Sequence, residues 1–141
     1  MIAYFDSSAV AKLVASDEAD AGTAARLWDD AEAIVSSSIV HAETHAALAA
    51  MVRATRLTRA RGAAARNALD DYLAEVDTVT ADDALCRRAG HLAGRLALRG
   101  ADAIHLASAL AFGGDSALVL VSWDAQLSEA AATAGLATAG I

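Results

Sequence analysis

Apolar and polar positions come in blocks along this chain, and the period of the pattern changes from block to block. Ile2-Ala3-Tyr4-Phe5 is a short apolar run that ends on Asp6 and two hydroxyls, Ser7 and Ser8. Such a run, closed by a turn signal, predicts a buried strand of a parallel sheet. From Ser8 to Ala15 the apolar residues Ala9, Val10, Leu13 and Val14 return at helical spacing. A second helix is predicted over Asp20–Asp30, with Leu27 and Trp28 facing the core. Ala33–Ser37 reads as a second strand, after which Ser38 is placed to cap a helix reaching about Arg56. Thr58–Glu75 is predicted helical and Val76–Thr80 extended. Thr80-Ala81-Asp82-Asp83 resembles a capping box that opens a helix to about Leu98. Gly100 reads as a break, Asp102–Ala111 as a short, mostly apolar helix, and Gly113-Gly114-Asp115 as a loop. Ala117–Ser122 is the strongest strand pattern, and Asp124 follows it closely. A helix over Ala125–Ala134 and an edge strand within Leu136–Ile141 complete the chain.

Strands alternating with helices predict an α/β fold, a three-layer α/β/α sandwich around a short, mostly parallel sheet. No linker, repeat or low-complexity tract divides residues 1–141, so one domain is expected. No apolar run approaches the roughly 18 residues of a membrane span. No basic stretch precedes an apolar one at the start, so a secretory signal is not expected. Cys86 is the sole cysteine, which excludes an intrachain disulfide. These features lead to the expectation of a cytoplasmic protein.

The net charge of −7 argues against a nucleic-acid binder with a wholly basic face. Its distribution changes that picture. Between Glu43 and Asp70 there is no acid, but there are Arg53, Arg56, Arg59, Arg61 and Arg66. A local basic stripe can meet phosphate or an acidic partner segment, or it can be a solvated helix face.

Asp6 and Asp124 follow predicted strands, and strand-to-helix turns at one edge of a parallel sheet face a common crevice. Glu43 and Asp102 lie on otherwise apolar helical stretches, where a carboxylate is costly without a cation. We read no Lys or Arg at helical spacing from either. Four hard oxygen donors suit Mg²⁺ or Mn²⁺, and such a cluster can activate water against a phosphodiester. Each acid has a plainer reading too. Asp6, Asp102 and Asp124 suit helix N-caps, and Glu43 suits a solvated helix face.

Other chemistries fit less well. His41 and His45 share a helix face, but Ala42 stands where a zinc metalloprotease motif needs Glu. His41-Ala42-Glu43 lacks the Pro-Cys-x-x-Cys partner of a zinc deaminase. Lys12 is the only lysine and follows no glycine-rich loop, and no G-x-G-x-x-G or G-x-S-x-G stretch is present. His105, in an apolar helix, reads as a core or interface histidine rather than a base.

Four blocks carry a family resemblance: Tyr4-Phe5-Asp6-Ser7-Ser8-Ala9; His41-Ala42-Glu43; Gly100-Ala101-Asp102-Ala103-Ile104-His105-Leu106-Ala107-Ser108-Ala109-Leu110; and Val121-Ser122-Trp123-Asp124-Ala125-Gln126-Leu127. In this order they resemble the PIN-domain ribonucleases, most closely the VapC-type toxins of toxin–antitoxin pairs. The resemblance implies a PIN-like fold in which Asp6, Glu43, Asp102 and Asp124 are catalytic and bind Mg²⁺ or Mn²⁺. It also implies hydrolysis of RNA, with tRNA or ribosomal RNA as substrate. Ser122 matches a Ser or Thr position close to the metal site, and Ser7 matches a hydroxyl after the first acid. The expected partners are a cognate antitoxin and a second copy in a homodimer. Two alternatives stay open: an RNA-processing nuclease outside a toxin–antitoxin pair, and a non-catalytic interaction module with an acidic pocket.

Overall fold

The computed structural model describes residues 1–15, 18–113 and 117–141. Five strands form one sheet: β1 (Ile2–Phe5), β2 (Ala33–Ser37), β3 (Asp77–Val79), β4 (Leu118–Ser122) and β5 (Ala137–Gly140). Their order is β3-β2-β1-β4-β5, and every pairing is parallel. β1 lies in the middle, with Tyr4 level with Val35 on one side and Leu120 on the other.

The period-two alternation of these strands divides the core. Tyr4, Val35, Leu118 and Leu120 face one helical layer, built from α5 (Asp83–Leu96), α6 (Gly100–Gly113) and α7 (Ala125–Thr133). Ala3, Phe5, Ile34 and Val121 face the other. That layer holds α1 (Ser7–Val14), α2 (Glu18–Asp29), α3 (Val40–Arg53) and α4 (Arg59–Ala74). Tyr4 and Phe5 are adjacent in sequence, fully buried, and on opposite faces. Burying an aromatic or large aliphatic side chain contributes about 1.5–3 kcal/mol, so β1 anchors both layers. Trp28 packs edge-on against Phe5 with ring centroids 5.2 Å apart, as expected for a core position, and Leu27 packs at the margin of the same cluster.

Element types match the pattern reading, but several boundaries differ. Ser38 does not cap α3. Its N–H donates to the Val79 carbonyl (2.9 Å) and its hydroxyl accepts from the Ala81 N–H (3.1 Å). Sheet pairing between β2 and β3 therefore uses it, and α3 begins after Ile39 with no side-chain cap. α3 stops at Arg53, short of Arg56, because Thr55 turns to φ 56°. The cap of α5 is Asp82, not Thr80: Asp82 accepts from the Leu85 N–H at 2.8 Å. Gly100 is no breaker but the first residue of α6. The break falls at Ala97, which takes the left-handed conformation (φ 54°, ψ 44°). A non-glycine residue there costs roughly 1–2 kcal/mol, which is why glycine draws the eye in the sequence. Of the expected 113–115 loop, Gly113 ends α6, and Gly114 and Asp115 lie outside the described residues. Among the described residues, no helix is long and apolar enough to cross a membrane.

Candidate active site

The carboxyl ends of β1 and β4 are adjacent, and the chain leaves β1 toward β2 on one side while β4 pairs on the other. This is the switch point where ligands gather on open parallel sheets. Asp6 is the residue directly after β1. It is 4% exposed, and hydrogen bonds reach both its oxygens. Oδ1 accepts from the Ser8 hydroxyl (2.7 Å) and the Ala9 N–H (2.9 Å), and Oδ2 from the Ser122 hydroxyl (2.7 Å). Asp6 is thus also the N-cap of α1. Burial nevertheless pushes its pKa up; the Ser122, Ala9 and Ser8 hydrogen bonds and the nearby His105 only partly offset it. A buried carboxylate in this condition is short of positive charge.

Ser122, the last residue of β4, links Asp6 to Asp124. Its hydroxyl donates to Asp6 and accepts from the Asp124 N–H at 2.9 Å. Asp124 caps α7 through Oδ1, which accepts from the Leu127 N–H (3.0 Å). Its Oδ2 faces the Arg99 guanidinium, 3.6 Å from Nη2. The same guanidinium reaches Asp102 in the first turn of α6, with Nε 3.4 Å from Oδ2. Arg99 stands three residues before Asp102, so the reading that no Arg lies at helical spacing is corrected here. Asp102 is also not a cap, because α6 begins two residues earlier.

Glu43, in the first turn of α3, turns to a second set of partners. It accepts from the Ser7 hydroxyl (2.5 Å) and lies 2.6 Å from His105 Nε2. His105 Nδ1 is 2.8 Å from the Tyr4 hydroxyl. Burial raises the Tyr4 pKa well above its ordinary value, so Tyr4 keeps its proton and can donate it to Nδ1. The tautomer that satisfies both contacts then carries its proton on Nε2, facing Glu43. Burial alone would push the Glu43 pKa up. The hydrogen bonds from His105 and Ser7, with the electrostatic effect of the adjacent imidazole, together outweigh it, and the pKa is lowered. His105 is a core residue, 2% exposed, as its apolar helix suggests, but it also positions a site carboxylate.

The four acids therefore share one edge of the sheet in two hydrogen-bonded sets. Asp6, Ser122, Asp124, Arg99 and Asp102 form one; Glu43, Ser7, His105 and Tyr4 form the other. Among the described residues, no three His, Cys, Asp or Glu side chains stand as a ready cage for a metal ion. Glu43 is turned to His105, and Asp102 and Asp124 are turned to Arg99. The donor set still suits a hard cation, since Asp6 is buried with no cation bonded to it. Tyr4, Arg99 and the positioning role of His105 escaped the sequence reading. The signal for Arg99 was its i−3 spacing from Asp102.

The His41 and His45 rings stack with centroids 6.2 Å apart, and His45 pairs with Asp70 at 2.8 Å. In the arginine stripe, Arg56 and Arg61 line a groove of about 700 Å³ with Lys12, Met51 and Leu57. Another groove of about 850 Å³ lies between α5 and α6 beside Arg88, His91 and Arg95. Neither is lined by any of the four acids.

This fold, with carboxylates gathered at the carboxyl edge of its central strands, is that of a PIN domain: the PIN domain profile matches residues 3–132, and the chain belongs to that family. Within it the chain falls in the VapC-type group. It is 43% identical over 134 residues to Ribonuclease VapC45 of Mycobacterium tuberculosis (strain CDC 1551 / Oshkosh), covering 95% of this chain and 92% of the relative. The fold is similar to that of Mycobacterium tuberculosis VapC20, a sarcin-ricin loop cleaving toxin (TM-score 0.66, 22% identity, 95% of each chain covered). It is also similar to a chain of VapBC2 from Rickettsia felis, solved bound to a DNA fragment from their promoter (TM-score 0.65, 15% identity, 99% and 98% covered).

Proposed function

We propose that this chain is an endoribonuclease dependent on Mg²⁺ or Mn²⁺, the toxin of a toxin–antitoxin pair. The observation that carries the reading is Asp6: a buried carboxylate at the switch point, short of positive charge, with Asp124 one serine away. Asp6, Glu43, Asp102 and Asp124 would hold the cation. When bound, it would neutralise charge on the phosphodiester and lower the pKa of water for in-line attack.

The chain's own residues prepare that site. Ser8, Ser122 and the Ala9 N–H fix both Asp6 oxygens, so the carboxylate needs no reorganisation on binding. His105 and Ser7 keep Glu43 ionised and aimed. Tyr4 fixes the imidazole that does so. RNA is the proposed substrate, with tRNA or ribosomal RNA as the class, supported by the ribonuclease relative. A cognate antitoxin is the proposed partner, supported by the VapBC2 neighbour, and a homodimer the proposed assembly. The groove beside Arg56 and Arg61 is a basic surface suited to an acidic partner segment.

The test is incubation of total RNA with purified protein in Mg²⁺ or Mn²⁺ against EDTA, with Asp6→Asn alongside. Discrete fragments that need metal and vanish in the variant support the reading. Identical patterns from both proteins under every condition, on tRNA and ribosomal RNA alike, overturn it.

A further inference from the structure

The guanidinium of Arg99 lies between Asp102 and Asp124, where a cation held by those two acids would also lie. We propose that Arg99 is a phosphate-binding residue of this site, parked on Asp102 and Asp124 until a divalent ion takes those carboxylates. The inference rests on the metal-nuclease reading above.

Three observations carry it. First, the parking contacts are loose. Arg99 makes one contact to each acid, at 3.4 and 3.6 Å, rather than a short two-pronged fork to either. Its side chain is 77% exposed, so solvent screens both pairs and the guanidinium can leave without disturbing the core. Second, its backbone is tied down. The Arg99 carbonyl accepts from the Ala103 N–H at 2.9 Å, at the start of α6. A released side chain therefore stays at the rim of the site. Third, the site has little other positive charge. Among the described residues, the permanently charged side chain in ion-pair reach of the four acids is Arg99; the other basic side chain there, His105, is buried and its Nδ1 accepts from Tyr4. An RNA phosphate approaching four carboxylates on one sheet edge, on a chain of net charge −7, needs a cationic partner there. Arginine suits that role by its geometry and permanent charge.

The idea makes metal and guanidinium competitors for the same oxygens. The test compares wild type, Arg99→Gln and Arg95→Gln, which removes an equal charge without touching the four acids. Mn²⁺ alone is titrated by calorimetry. Losing two long ion pairs to an exposed guanidinium should move the Arg99→Gln midpoint to about two- to fivefold lower Mn²⁺, and leave Arg95→Gln close to wild type. Total tRNA binding is then followed against salt in Ca²⁺. Arg99→Gln should reduce the slope of log K on log salt by about 1, the signature of one lost phosphate contact. Equal Mn²⁺ midpoints in all three proteins overturn the proposal. So does an equal shift in both variants, or an unchanged salt slope in Arg99→Gln. A wild type that binds neither Mn²⁺ nor Mg²⁺ fails in a distinguishable way, because it sinks the metal-nuclease reading itself.

Discussion

Replacing Asp6 by asparagine should stabilise the metal-free protein while abolishing cleavage. Asp6 is 4% exposed, and burial raises its pKa despite three hydrogen bonds. Ionising Asp6 in the fold thus costs free energy, and among the described residues no cation is bonded to it. Asparagine keeps an oxygen for the Ser8 hydroxyl and the Ala9 N–H, and it remains a good helix cap. Its amide can donate to the Ser122 oxygen. Relief of one such strained functional group typically contributes about 0.5–2 kcal/mol. For a domain of this size that is a rise in Tm of roughly 2–8 °C.

The pH dependence follows from the direction of the shift. A folded-state pKa raised above the ordinary 3.8 means that the protonated form favours the fold. That stabilisation is complete below 3.8 and is lost as pH rises through the folded-state pKa. The advantage of Asp6→Asn should therefore be largest at pH 7.5 and shrink on acidification toward pH 4. Thermal and urea unfolding in EDTA across that range measure it. Added Mn²⁺ should raise the wild-type Tm and leave the variant nearly unmoved. If Asp6→Asn is less stable than wild type at pH 7.5 in EDTA, or if the gap ignores pH, Asp6 is adequately compensated and the electrostatic argument fails.

Ser122→Ala leaves a buried Asp6 oxygen and the Asp124 N–H without their partner, so urea unfolding should show a loss of about 1–3 kcal/mol. Cleavage should fall with it, even at saturating metal. Tyr4→Phe removes the donor to His105 Nδ1 in the core and should cost about 1–3 kcal/mol. Nitrogen NMR of the imidazole should then show the proton no longer confined to Nε2. Gly140→Ala should destabilise by more than about 1 kcal/mol. Gly140 has φ 108°, and an added Cβ would run into the Ser122 carbonyl, so β5 should show faster amide exchange.

What was legible in the sequence had a local cause. β1, β2 and β4 announce themselves because strands buried on both faces must be apolar at successive positions, as in Tyr4-Phe5 and Val119-Leu120-Val121. All four acids could be picked out because each interrupts or closes an apolar run. Boundaries went astray where tertiary contacts override local preference. Ser38 would cap a helix in isolation, but the Val79 carbonyl of β3 takes its N–H and the Ala81 N–H just beyond donates to its hydroxyl. Ala97 and Thr55 turn left-handed with no glycine to mark them. The partners of the acids were hidden for a related reason. Tyr4, Glu43 and His105 are far apart in sequence, so no spacing rule joins them. Arg99 was within reach of such a rule, but Gly100 read as a helix breaker and masked the first turn that aligns it with Asp102.

The central place of β1 also governs when the site can exist. β1 is made before both of its neighbours, and β2, β3 and six helices are made between it and β4. Parallel pairing of β1 with β4 joins segments far apart in sequence, a non-local contact whose loop-closure entropy must be met before it contributes. Asp6 receives the Ser122 hydroxyl, and Asp124 comes alongside, only when β4 docks. A partly made chain holds Asp6 and Glu43 but neither Ser122 nor Asp124. A nascent chain that has not yet reached β4 therefore lacks the cluster in which Asp6, Ser122 and Asp124 meet.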